Sequence, residues 1–524
     1  MPRNVLFVFF VLLLFASLCS SGQQRDRQAQ PPAPAPEASA KPAASPTPEA
    51  KKEAPEQAPS VMHHEIHVGG KTLRYTSTAG MMPLKNVDTG EVEAHIFYIA
   101  YTLDGQSAER RPLTFSFNGG PGSASVWLHL GAIGPKRVRM QPDGMMPAPP
   151  YQLVDNEYTW LDQTDLVFID PVGTGYSRAV KRDQTKKFIG LRGDIESVGE
   201  FIRLYLGRYE RWSSPLFLVG ESYGTTRAAG LSGYLVEHGV AFNGIMLISS
   251  VLNFQTLDFT PGNDLPYVLY LPTYATTAWY HKKLSPDLQQ DFDKLRGEVE
   301  RWASGRYAEA LMKGDRLTPP ERQDVIDQLA RYTGLSKTYI DLSNLRIEQG
   351  HFSQELLRGQ REVIGRLDGR FTGTSRSAIA ETAGYDPSLS AIRPPYTAMF
   401  NQYVRTELGY KTDLDYYILG GGFRFDEWDW GIRGEGGFPD TAQALADAFT
   451  KNPFMKLFVG SGYYDMATPY FATQYTLNHM GLDAAQHSRI SLGYYGAGHM
   501  MYIQDQSLGE LKKDVSTFMT GALK

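Results

Sequence analysis

The chain has 524 residues, more than one compact hydrophobic core usually holds, so an insertion into a core or a pair of domains is expected. Its 42% hydrophobic and 21% charged residues are ordinary for a water-soluble protein. A formal net charge of −5 is small for this length and argues against nucleic acid or an anionic membrane surface as a partner.

The first element is an apolar run, residues 5–18, preceded by Arg3 and followed by the small residues "CSSG". Charged, apolar and small residues in that order read as a secretory signal peptide over 1–22, with the mature chain starting at Gln23. A transmembrane anchor is the competing reading, but the run is short for a hydrocarbon core of ~30 Å. Export to the periplasm or the extracellular space is therefore expected. A lipoprotein acylated on Cys19 is the second choice, because Leu18 stands where such sites prefer a small side chain. Cys19 is the only cysteine, so a chain cut after Gly22 has no disulfide and relies on core burial. Residues 23–60 are rich in Pro, Ala and Glu without an apolar period, which reads as a disordered linker or tether.

From Val61 short alternating runs predict antiparallel hairpins, as in "EIHVGGKTLRYTSTAG" and "AHIFYIAYTLDG". Four apolar runs then end at glycine-rich or polar loops: "LTFSF" before "NGGPG", "DLVFID" before "PVGTGYS", "LFLVG" before Glu221 and Ser222, and "GIMLISS". Helical periods separate them, so a mainly parallel sheet with helices on both faces is expected. Residues 61–251 form the first part of this α/β core. Residues 252–397 read as an inserted helical cap, with amphipathic helices in "DLQQDFDKLRGEVERWASGRYAEALMKG" and "QELLRGQREVIGRLDG". Residues 398–524 resume the core, with "MKLFVGS" and "RISLGYY" as strands and "LGELKKDVSTFMTGAL" as the closing helix.

"GESYG" fits G-x-S-x-G, in which glycines let a sharp strand-to-helix turn expose a serine oxygen. Ser222 is thus a candidate nucleophile, although serine also caps helices with no chemistry attached. A serine nucleophile needs a base and an acid that orients it, and in α/β-hydrolases these follow in the order Ser, Asp or Glu, His. Asp465 follows a strand and a glycine turn, and His499 follows the next strand and "GAG". Alone, Asp465 also reads as a cap for the helix that starts near Thr468, and a lone loop histidine such as His499 is more often packed than catalytic. The oxyanion hole needs convergent backbone N–H groups. Tyr223 follows the nucleophile, and Gly120 of "NGGPG" sits in the loop after an earlier strand.

These blocks together resemble the serine carboxypeptidases. The likeness runs from Ala94 to about Ile503 outside the insertion, on "FNGGPGSASVWLHLGAIGPKRV", "FIDPVGTGYS", "VGESYGTTRAA", "SGYYDMATP…GYYGAGHMMY" and, more weakly, "NEYTW". The resemblance implies an α/β-hydrolase fold that removes single residues from peptide C-termini and needs no cofactor or metal. It implies Ser222, Asp465 and His499 as the triad, Gly120 and Tyr223 as oxyanion donors, and Asn118 and Glu221 as ligands of the substrate's terminal carboxylate. Met500 is assigned to the substrate pocket. Ser123 and Ala124 stand where the family usually has Cys and Ser, and Ser116 where it has Trp. Ala132 stands where a second Glu commonly shares a proton with the Glu of "GESYG".

Peptides are the expected partners, with membrane contact only through a lipid on Cys19. An esterase or acyltransferase using the same acyl-enzyme is the alternative, and a non-catalytic binding protein on a hydrolase scaffold is the third. "HHEIH" (63–67) lacks H-E-x-x-H spacing and reads as an edge strand rather than a metal site. "RGD" (192–194) reads as a solvated helix start, and "GGGF" (420–423) as a loop.

Overall fold

The computed structural model describes residues 58–431 and 437–524. The expected signal segment, Cys19 and nearly all of the expected linker lie outside the described residues.

The strands are β1 Ser60–Val68, β2 Lys71–Lys85, β3 Val92–Leu103, β4 Leu113–Phe117, β5 Lys136–Val138, β6 Leu153–Asp155, β7 Asp165–Ile169, β8 Arg178–Ala179, β9 Leu216–Ser222, β10 Gly244–Ser250, β11 Glu362–Ile364, β12 Thr372–Thr374, β13 Lys456–Gly462 and β14 Ile490–Tyr495. One ten-stranded sheet has the order β1-β2-β3-β7-β4-β9-β10-β13-β14, with β8 paired beside β3. The first three strands form the expected antiparallel meander, and β3 meets β7 antiparallel. From β7 to β14 every pairing is parallel. This is a mainly parallel α/β-hydrolase sheet.

The apolar runs are continuous because both faces of the sheet are buried. Along β9, Phe217 and Val219 join a core that includes Phe400 and Leu511. Leu216 and Leu218 point the other way, into a core that includes Phe201, Leu231 and Phe449. Helices Leu191–Arg208, Tyr223–Glu237 and Ala442–Lys451 therefore cover one face. Helices Pro387–Thr406 and Asp505–Ala522 cover the other. "HHEIH" lies on β1 at the sheet edge, where His63 and His64 bond to the hydroxyls of Thr76 and Ser77 on β2. Among the described residues no helix is long and apolar enough to cross a membrane.

Between β10 and β13 the chain builds a separate helical layer. Leu271, Val299 and Leu329, from helices Leu265–Tyr280, Phe292–Trp302 and Pro319–Thr333, share a core of their own. Two expectations are corrected here. "QELLRGQREVIGRLDG" is not one helix: the helix ends at Glu355, and the rest forms a 3₁₀ turn, β11 and a tight turn into β12. Arg361 takes a left-handed conformation (φ 59°) that ends the 3₁₀ turn, and Val363 and Ile364 suit a strand. The boundary expected at 397 falls inside helix Pro387–Thr406. Ile392, Tyr396, Phe400 and Tyr403 recur there at helical spacing and bury against the sheet, which outweighs Pro394 and Pro395.

Candidate active site

Ser222 ends β9 and stands before helix Tyr223–Glu237, with φ 60° and ψ −132°. A non-glycine residue at positive φ is strained and persists only where its surroundings hold it. Gly220 makes the turn sterically feasible: a Cβ there would come within 2.1 Å of the Gly224 carbonyl oxygen. Ser222 is half-buried while its neighbours Glu221 and Tyr223 are buried. The turn thus presents the hydroxyl at the carboxyl end of the parallel strands, where α/β folds gather their sites.

Asp465 and His499 come from the loops after β13 and β14, adjacent parallel strands. Asp465 is fully buried and His499 is 3% exposed. His499 Nδ1 lies 2.8 Å from Asp465 Oδ2. The other carboxylate oxygen accepts the amides of Ala467 (2.8 Å) and Thr468 (2.9 Å), and the Thr468 hydroxyl donates to Oδ2 at 2.8 Å. Asp465 is thereby saturated with donors and faces the imidazole as an acceptor. Burial pushes the His499 pKa down, but the charge and hydrogen bond of Asp465, with Glu221 nearby, outweigh it and raise the pKa above 6.5. The His499 loop is also tied to β10, through a 2.6 Å hydrogen bond from Ser249 Oγ to the His499 carbonyl. Met500 is 5% exposed and belongs to the core beneath the site.

The loop after β4 abuts the Ser222 turn. A Cβ on Gly119 would lie 2.4 Å from the Tyr223 amide nitrogen, so this close approach requires glycine. Gly120 is exposed beside it. A network that the sequence reading missed braces the two segments. Arg227, one turn into the helix after Ser222, donates from Nε to Asp194 Oδ2 (2.7 Å) and from Nη1 to the Asn118 carbonyl (2.7 Å). The Tyr223 hydroxyl donates to the same Asp194 oxygen at 3.0 Å. The expected solvated start at "RGD" is therefore corrected. Arg192 is exposed, but Asp194 is 2% exposed and paired with Arg227. Tertiary pairing 33 residues away overrides the local pattern. Replacing Arg227 with Met should leave a buried anion and cost about 3–5 kcal/mol of stability, read by urea unfolding.

Asn118 and Glu221 meet beneath the turn, 1% and 4% exposed. Asn118 Oδ1 accepts the Leu128 amide at 3.0 Å, while its buried Nδ2 has no hydrogen-bond partner of normal geometry among the described residues. Burial raises the Glu221 pKa to about 7, against the lowering influences of His499, Tyr502 and Asn118. Glu221 does have a partner despite Ala132. The Tyr502 hydroxyl hydrogen-bonds to Glu221 Oε2. The Tyr502 ring packs on Gly131, beside the fully buried Ala132, where a Cβ on Gly131 would lie 2.5 Å from the ring. This hydroxyl partner lies 281 positions away in sequence, and position 132 still lacks a second carboxyl.

Comparison with known proteins then places the chain. Residues 71–328 match the family described as Serine carboxypeptidase. Over that stretch the chain is similar to that family. Serine carboxypeptidase-like 4 of Arabidopsis thaliana is 29% identical over 220 residues, which is 41% of this chain and 45% of that protein. Pheromone-processing carboxypeptidase KEX1 of Saccharomyces cerevisiae is 33% identical over 159 residues, 28% of this chain and 20% of that one. These alignments span less than half the length of the curated relatives. The crystal structure of the yeast KEX1 protein superimposes with a TM-score of 0.51 at 16% identity, covering 85% of this chain and 91% of that one, a likeness of fold. The family match ends before Asp465 and His499, whose association rests on the hydrogen bond between them.

Proposed function

We propose that the chain is an exported serine carboxypeptidase that releases C-terminal residues from peptides through an acyl-enzyme on Ser222. The observation that carries this reading is the buried Asp465–His499 hydrogen bond, on loops beside a serine held at positive φ. Ser222 Oγ attacks the carbonyl carbon of the last peptide bond as His499 Nε2 takes its proton. The backbone N–H groups of Tyr223 and Gly120 hold the tetrahedral oxyanion. Collapse breaks the C–N bond, and His499 returns the proton to the departing amine. Water, with His499 again as base, then hydrolyses the ester and frees the shortened peptide with a new carboxylate. A fluorophosphonate that forms a covalent adduct on Ser222 supports this chemistry. A protein that reacts at no serine would favour a binding role for the scaffold.

Asn118 and Glu221 are proposed to read the substrate's terminal carboxylate. An ionised Glu221 would repel that anion, so it assists only as the protonated donor, with the Asn118 Nδ2 amide as a second donor. A pKa near 7 supports this, and a bound anion raises it further. Activity on free-acid peptides should fall as pH rises through that value, while it rises at lower pH as His499 loses its proton. The two groups interact, so the limbs report the pair. Glu221→Gln donates at every pH and should flatten the alkaline fall. On the acid limb Glu221 is already protonated and uncharged, so that limb should stay nearly in place. Amidated peptides should show no alkaline fall in either protein. Identical profiles for free-acid and amidated peptides would instead favour the esterase or acyltransferase reading, which Ala132 keeps open.

The signal-like segment at residues 5–18 supports export, and the Pro- and Ala-rich stretch after it reads as a tether. N-terminal sequencing should find Gln23. An acylated Cys19 would support lipidation instead, and an intact Met1 would contradict both.

A further inference from the structure

The turn between β11 and β12, residues 366–370, belongs to the inserted segment, yet it grips both loops that carry the acid and the base. On the acid loop, the Met466 amide donates to the Arg366 carbonyl (3.1 Å) and the Gly369 amide to the Tyr464 carbonyl (2.9 Å). On the base loop, the His499 amide donates to the Leu367 carbonyl (2.6 Å) and the Gly498 amide to Asp368 Oδ2 (2.9 Å). Arg370 closes the arrangement. Its Nη2 pairs with Asp368 Oδ2 at 2.6 Å, its Nε reaches both carboxylate oxygens, and its Nη1 donates to the Gly496 carbonyl at 3.0 Å. Asp368 is 3% exposed and Arg370 7%. The contact is close enough that a Cβ on Gly498 would lie 2.4 Å from the Asp368 Cβ.

The parallel pairing of β13 and β14 ends at Gly462 and Tyr495. Past it, backbone bonds from Tyr463 to Tyr495 and from Tyr464 to Ala497 continue the link. The next two residues of the base loop, Gly498 and His499, give their amides to the inserted turn instead. The turn is itself anchored away from the site, by Ser388 Oγ on the Leu367 amide (3.1 Å) and by His281 on the Gly369 carbonyl (2.7 Å). The Cα of His499 is thus set by the insertion as well as by the sheet.

We propose that Asp368, held by Arg370, is a positioning residue for the base: it fixes the Gly498 and His499 backbone so that His499 Nδ1 stays on Asp465 and Nε2 faces Ser222. This rests on the reading of Ser222, Asp465 and His499 as the triad. A small misplacement of a reacting group is costly, of order 10²-fold for ~1 Å. Asp368→Ala should therefore lower kcat about 10²-fold with KM unchanged, and should abolish the downfield proton resonance of the His499 Nδ1–H. The double variant Asp368→Asn with Arg370→Gln leaves no unpaired buried charge, and it keeps an oxygen for the Gly498 amide. It should recover most of kcat and the resonance. Should Asp368→Ala not fold, Asp368→Asn alone decides, since it spoils the fit to Arg370 and should broaden the resonance and lower kcat. Wild-type kcat and resonance in the single variants would overturn the proposal. So would a kcat loss that follows thermal stability while the resonance persists, which marks a merely structural role. A wild-type Ser222 inert to fluorophosphonate would overturn the triad reading and this proposal with it, whereas a reactive wild type with an unaffected Asp368→Ala overturns only the proposal.

Discussion

Ser222→Ala should lower kcat by on the order of 10⁶-fold while leaving the fold in place. In the proposed mechanism the serine oxygen is the atom acylated, and triad members act as a unit rather than additively, so the expected effect is large. His499→Ala should fall nearly as far, and adding it to Ser222→Ala should cost little more. Stability should change little. Alanine keeps the Cβ that serine carries at φ 60°, so the strain of the turn is the same in both, and the half-buried hydroxyl is not part of a core. Steady-state kinetics on one peptide, with thermal unfolding as the control, checks this. A Ser222→Ala protein with near-normal turnover would remove the nucleophile assignment.

Asp465→Asn should lower kcat by on the order of 10⁴-fold at neutral pH with the structure intact. The side chain sits among fixed donors: the Ala467 and Thr468 amides both point at Oδ1. An asparagine satisfies them only by placing its carbonyl oxygen there, which turns its NH₂ toward His499 Nδ1 at the place of Oδ2. The imidazole then accepts at Nδ1 and carries its proton on Nε2, the nitrogen that must take the Ser222 proton. The Thr468 hydroxyl can rotate to accept from the new NH₂, so no buried group is stranded and unfolding should be nearly unchanged. Fluorophosphonate labelling of Ser222 should slow in parallel with turnover. An Asp465→Asn enzyme that kept its rate would place the acid elsewhere.

The sheet was legible because each strand leaves its mark locally. "LTFSF", "LFLVG" and "GIMLISS" are buried on both faces, so they read as unbroken apolar runs. The elbow was legible because its steric demand falls on adjacent residues, with Gly220 and Gly224 flanking the strained serine. What stayed hidden is what depends on distant pairing. Asp194 looks like a helix-start carboxylate until Arg227 is seen beside it, and Tyr502 has no visible link to Glu221 until two strand-end loops converge. The turn at 366–370 was masked for another reason. Charged and aliphatic residues in "QELLRGQREVIGRLDG" mimic a helical period, and only the positive φ of Arg361 and the pairing of Glu362–Ile364 with Thr372–Thr374 reveal the hairpin. The helical layer between β10 and β13 was visible as amphipathic periods, but its grip on the base loop was not.

The most direct test of the account is mass spectrometry of one free-acid peptide and its amidated twin, sampled over time with the wild-type protein and with Ser222→Ala. The account predicts a ladder of products from the free acid, each shorter by single residues from the C-terminus, slower or absent for the amide and absent with Ser222→Ala. Internal cuts, a ladder from the N-terminus, or an untouched peptide alongside rapid ester turnover would contradict it.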